Sequence, residues 1–119
     1  MHAIAAGALG VFLAAVGVAH FAVPKYFRDL VPAGLPAAAL VAASGFVEVA
    51  VGVGLVLPRT RAVCAWLATA MLAVYVLVWA QRLRLARAGD PRPMNRPPAV
   101  LAALVVNVGY LAWATAVAI

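Results

Sequence analysis

Residues 37–57 read AAALVAASGFVEVAVGVGLVL, a run of 21 residues whose one charge is Glu48. A helix rising 1.5 Å per residue needs about 20 residues to cross a hydrocarbon core of about 30 Å, so this run has the length and the composition of a membrane span. Three more such runs flank it, at Ala3–Val23, Val63–Ala80 and Val100–Ile119. The third is slightly short. The pattern predicts an all-α protein, an integral membrane bundle of four transmembrane helices, with residues 1–119 forming one membrane domain.

The rest of the composition agrees with lipid as the main solvent. Of the 119 residues, 68% are hydrophobic and 10% charged, and the mean hydropathy is +1.09. Soluble domains are about half apolar and a quarter charged. The first run has no Lys or Arg ahead of it, is long for a signal-peptide core and ends in Phe21-Ala-Val-Pro24, so it reads as a retained helix. The connections Pro24–Pro36, Pro58–Arg61 and Gln81–Pro97 are punctuated by proline, and the middle one is short enough for a tight hairpin.

A net charge of +6 in a soluble chain would suggest nucleic acid. Here all nine basic residues lie in the connections, where they mark cytoplasmic loops and contacts with lipid headgroups, so membrane lipids are expected as partners and nucleic acid is not. Lys25, Arg28, Arg82, Arg84, Arg87, Arg92 and Arg96 fall on one side and Arg59 and Arg61 on the other. The positive-inside rule then predicts both termini outside a bacterial cytoplasmic (inner) membrane. Tyr26, Phe27, Tyr75 and Trp79 are expected as interfacial anchors, and the Arg- and Pro-rich third connection as a solvated loop against lipid. Cys64 is the single cysteine, which excludes a dithiol relay within the chain.

Glu48 is the residue that most demands an explanation. It is the twelfth of the 21 residues of its run, and a carboxylate near mid-membrane raises the insertion cost by roughly 3 kcal/mol. Gly45, Glu48 and Gly52 share one helical face, and glycine faces are where membrane helices approach, so Glu48 is expected to point into the bundle. Counting rise along each run puts Thr69 and Tyr110 level with Glu48, and Ser44 and Asn107 about 5 Å nearer the cytoplasmic side. Two readings of this polar cluster stay open: a neutral Glu48 that fixes helix register by bonding Tyr110 or Thr69, or a ligand or proton site.

His20 lies near the end of the first run, on a stripe with Gly10, Leu13 and Gly17, where an interfacial anchor or cap is the simpler role. His2 and His20 lie about 27 Å apart on one helix, so this chain alone cannot give a b-type haem both axial ligands. Metal clusters, nucleophile elbows and phosphate-binding glycine loops are absent from the sequence, and no metal and no catalytic residue is expected. Gly10, Gly17, Gly45 and Gly52 read as helix-packing notches.

One string of residues is more specific than hydropathy: His20-Phe21, Pro24 and Phe27, then Val31-Pro32, Leu35-Pro36, Ser44-Gly45 with Glu48, then Gly52, Gly54-Leu55, Pro58, Thr60-Arg61 and Trp66. From about His20 to Trp66 the chain resembles the DoxX-like family of small four-helix bacterial membrane proteins. The resemblance implies a four-helix fold with a site built from the first two helices, including His20 and Glu48. It also implies a setting among thiosulfate:quinone oxidoreductase subunits or oxidative-stress complexes. The chain departs from the family where Tyr75-Val-Leu-Val-Trp79 replaces a Pro-Ala-Asn segment, and Asn95-Arg96-Pro97-Pro98 only partly echoes the entry to the fourth helix.

The leading functional expectation is a non-catalytic accessory subunit that steadies a larger membrane assembly, a transporter or a respiratory or oxidative-stress complex, through a membrane-protein partner or a homo-oligomer. The alternative is a binder of a quinone or other lipophile at Glu48, with Glu48 or His20 handling a proton. Proton-coupled transport ranks below both, because one intramembrane carboxylate offers no relay.

Overall fold

The computed structural model describes residues 2–119. Met1, where the expected single domain begins, and the His2 side chain, one end of the expected His2–His20 separation, lie outside the described residues. The chain forms α1 (His2–Ala22), α2 (Pro24–Arg28), α3 (Ala37–Val56), α4 (Arg61–Leu85) and α5 (Pro97–Ala118), with a 3-10 turn at Pro93–Asn95 before α5. No strand occurs among the described residues. Four of these helices are long and apolar enough to cross a membrane, so the protein is an all-α membrane bundle of four spans.

The spans pack as two antiparallel pairs. α1 lies mainly against α3 and α4 mainly against α5, with thinner contacts between α3 and α4 and between α1 and α5. Each helix buries a single stripe, as the 3.6-residue period requires. On α1 the stripe is Ala6, Leu9, Gly10, Leu13, Gly17 and His20, and on α3 it is Val41, Gly45, Glu48, Val51, Gly52 and Leu55. α4 contributes Ala65, Ala68, Leu72 and Trp79. α5 buries only Val100 and Ala114.

The α1–α3 contact is set by glycine. A Cβ on Gly10 would meet the Gly52 carbonyl oxygen at 2.5 Å, and one on Gly52 would meet the Gly10 oxygen at the same distance. Half the interface away, a Cβ on Gly17 would come within 2.8 Å of the Gly45 oxygen. All four glycines of the sequence reading therefore lie on this one contact, and backbones approach here as side chains would forbid. Between α3 and α4 the Cys64 sulfur fills the space that a side chain on Gly54 would take.

Two element boundaries differ from expectation. The third span is the longest helix at 25 residues, not a short one, because Arg82 and Arg84 extend it beyond the apolar run. Straight-chain Arg is a good helix former, and a cation in the last turn suits the helix dipole. The prolines start helices more than they stop them: Pro24 opens α2 and Pro97 and Pro98 open α5, where a missing N–H costs nothing. Gly34 takes φ +88° in the turn closed by the Leu35 N–H on the Pro32 carbonyl, a conformation that suits glycine.

The two ends of the bundle are built differently. At the hairpin end, residues 57–60 join α3 to α4, and the chain itself caps α3. Thr60 Oγ1 donates to the Gly54 carbonyl (2.8 Å), and Arg61 donates to the carbonyls of Leu55 and Val56 (3.1 Å each). At the other end the two long connections fold onto each other. Arg82 donates to the Asp29 carbonyl (3.0 Å) and to Asn95 Oδ1 (2.8 Å), and Arg92 pairs with the Asp29 carboxylate at 2.8 Å. The third connection, mostly exposed, is thus also tied to the first through Asp29.

Candidate functional site

The α1–α3 pair brings its two buried ionisable groups together. His20 is 5% exposed and Glu48 1% exposed, and His20 Nδ1 stands 3.1 Å from Glu48 Oε2. The same Nδ1 stands 2.8 Å from the Val16 carbonyl oxygen one turn earlier on α1. A contact that short between nitrogen and a carbonyl oxygen requires a hydrogen on Nδ1. That hydrogen points to Val16, so Glu48 Oε2 is buried without a hydrogen-bond partner. The imidazole is held in place from two further sides. Phe27 of α2 stacks on it with centroids 3.8 Å apart and planes 16° from parallel, and a Cβ on Gly45 would lie 2.7 Å from the His20 Cβ. Only glycine at position 45 leaves room for the His20 Cβ.

α4 supplies a third member. The Tyr75 side chain reaches toward both Glu48 and Ser44, yet its hydroxyl oxygen is likewise buried without a partner in hydrogen-bond geometry. Buried polar atoms are nearly always satisfied, and two unsatisfied oxygens in one apolar site are the feature that marks it. A cleft of about 280 Å³ lies against His20 on the side of α2 and the start of α3, walled by Phe21, Pro24, Arg28, Val41 and Ala42. Because Nδ1 carries the ring hydrogen and faces Glu48, the neutral ring presents Nε2 as a lone-pair acceptor on its opposite edge.

The remaining residues of the expected cluster are engaged elsewhere. Thr69 Oγ1 donates to the Ala65 carbonyl at 2.9 Å and Asn107 Nδ2 to the Ala103 carbonyl at 2.8 Å, each within its own helix. Ser44 Oγ donates to the Val41 carbonyl at 3.2 Å but stays beside Tyr75. Tyr110 packs on Phe12 with centroids 4.6 Å apart, in an aromatic group whose Trp113 donates Nε1–H to the Ala5 carbonyl at 3.1 Å. His20 is not an interfacial cap but a buried member of the site. Trp79, expected as an interfacial anchor, is buried beside Arg82 at the loop end of α4, and Tyr75, expected as another, packs against the core near Glu48.

The reason is geometric. Side chains lean toward the N-terminus of their own helix. α3 runs antiparallel to both α1 and α4, so Glu48 leans toward His20 and Tyr75 while they lean toward it. Residues whose Cα atoms differ in depth by about 9 Å can then meet. Level counting of Cα positions selected Thr69, when the leaning rule would have selected Tyr75.

No group of three or more His, Cys, Asp or Glu among the described residues could hold a metal. What the constellation can do is accept a proton: an O–H donor in the cleft can meet Nε2, and a carboxylate 3.1 Å from Nδ1 can stabilise the imidazolium that results.

Fold and site together define a four-span membrane protein with a buried carboxyl–imidazole–phenol group whose imidazole lines an open cleft. The chain matches a domain family of unknown function, DUF8561, over residues 9–118, and belongs to that family. No curated protein and no solved structure matches it.

Proposed function

We propose that this protein is a DoxX-like binder of a lipophilic, hydroxyl-bearing ring compound of the quinol class, with His20 as proton acceptor and Glu48 as the group that supports its charge. The observation that carries the reading is the buried, partnerless Oε2 of Glu48 beside a histidine that lines a cleft. At about 280 Å³ the cleft is at the small end of ligand sites and suits a single ring whose tail lies in lipid. The pairing of His20 with Glu48 accords with a site on the first two helices, as the DoxX-like resemblance implies. Seven basic residues at the loop end against two at the hairpin end support a bacterial inner-membrane orientation with both termini outside.

The test is the quinone and quinol content of protein purified in mild detergent. Wild type is expected to retain the compound, and Glu48→Gln and His20→Phe to hold a tenth or less. Equal content in all three would refute the reading.

A second reading, an accessory subunit of a larger membrane assembly, is favoured by α5. Its buried residues are few, and Leu101, Val105 and Val108 are about half exposed, which leaves an apolar stripe for a partner helix. Affinity capture from native membranes is expected to bring a stoichiometric partner, lost on Val105→Trp. A chain recovered alone and monomeric would end this reading.

A further inference from the structure

The layer formed by the two long connections borders a second cleft of about 450 Å³, lined by α2, the end of α4 and residues 91–95. Its lining carries three cations, Lys25, Arg82 and Arg92, and one carboxylate, Asp29. That carboxylate is already taken by Arg92 at 2.8 Å. Arg82 and Lys25 form no ion pair among the described residues. Arg82 is also held rigidly: its two terminal nitrogens donate to Asn95 and to the Asp29 carbonyl, and its guanidinium stands 5.4 Å from the Trp79 ring centroid. The third donor, Nε, is buried with no acceptor. Trp79 and Met94 give the same cleft an apolar wall.

A guanidinium fixed by two hydrogen bonds, with a second N–H left on each terminal nitrogen, a lysine with no ion pair among the described residues and an adjoining apolar wall at the end of a membrane span match one ligand chemistry, a phosphate group attached to something lipophilic. We infer that this cleft binds the phosphate of an anionic phospholipid, with Arg82 and Lys25 on the phosphate oxygens and Trp79 against the glycerol and upper acyl carbons. Such a lipid, with one negative charge, would offset part of the excess positive charge of the cleft and bridge the two connections from below. A free phosphate compound offers the same head without the tail, so the experiment separates the two sources.

The full chain, delipidated in mild detergent, is titrated with phosphatidylglycerol, phosphatidylcholine and inorganic phosphate, and followed by native mass spectrometry and thermal unfolding. One tightly bound phosphatidylglycerol per chain and a raised midpoint are expected, with neither effect from phosphatidylcholine. Saturable binding of inorganic phosphate at similar strength would keep the anion site and make its ligand a soluble one. Lys25→Gln is expected to weaken phosphatidylglycerol by about fivefold, while Arg59→Gln, an equal charge change at the hairpin end, leaves it unchanged. Lys25 makes no side-chain hydrogen bond or ion pair among the described residues, so its replacement is expected to leave the layer folded, whereas Arg82→Gln tests the same site at the risk of loosening it. Equal affinity for phosphatidylglycerol and phosphatidylcholine with no phosphate binding, or equal weakening by Lys25→Gln and Arg59→Gln, would overturn the inference.

Discussion

At the scale of single residues, the Tyr75 hydroxyl separates function from stability. A buried hydroxyl with no partner contributes nothing to the folded state, and replacing it with hydrogen is close to neutral or stabilising. Tyr75→Phe is therefore expected to leave the thermal midpoint in detergent unchanged or slightly raised, while lowering ligand retention. Tyr75→Ala, which removes the ring packed against the core, is expected to cost about 3 to 5 kcal/mol. A Phe variant as unstable as the Ala variant would mean that the hydroxyl has a structural bond. The same reasoning applies to Glu48→Met, which removes a buried carboxyl of similar length and is expected to stabilise the bundle while abolishing the site.

At the scale of elements, the α1–α3 contact depends on two glycine pairs, and the helix supplies its own controls. Gly10→Ala sets a methyl 2.5 Å from a backbone oxygen that cannot swing aside, so the helices must part, at a cost of about 1 to 3 kcal/mol. Gly7→Ala, on the same helix with nothing within 4 Å of the new Cβ, is expected to be neutral or mildly stabilising. Denaturation in mixed micelles distinguishes them, and equal effects would show that propensity rather than the interface governs. This contact also marks what could be read from the chain beforehand. Runs of apolar residues and glycines at seven-residue spacing each follow from one helix alone, so the spans and the packing face were legible. Which side chains meet across helices depends on register and lean between two or three elements. So Glu48 is legible from one helix and His20 beside it from the family resemblance, whereas Thr69 and Tyr110 bond elsewhere and Tyr75 follows only from the assembled bundle. The α4 boundary failed for a different reason: a charged last turn is helical by propensity and by dipole, and hydropathy does not register it.

At the scale of the whole molecule, Arg82 joins the end of α4 to both long connections. Its loss removes two charge-assisted hydrogen bonds, and the exposed Arg92–Asp29 pair, with both side chains about half in water, adds little in compensation. Arg82→Ala is expected to speed tryptic cleavage after Arg87, which precedes Ala88, by at least about tenfold, with the helices still formed by circular dichroism. An unchanged cleavage rate would show that the 3-10 turn and its prolines hold the layer by themselves.

The pairing of α1 with α3 has a consequence for biosynthesis. These helices are consecutive spans, their interface needs no residue beyond position 56, and they can dock while α4 is still in the ribosome. Glu48 and His20 then meet early, each shielding the other from lipid, and the first hairpin leaves the translocon with its costliest side chain already sheltered. Tyr75 arrives only with the following span. The nascent chain thus carries an open half-site, and the arrival of the third membrane crossing closes it.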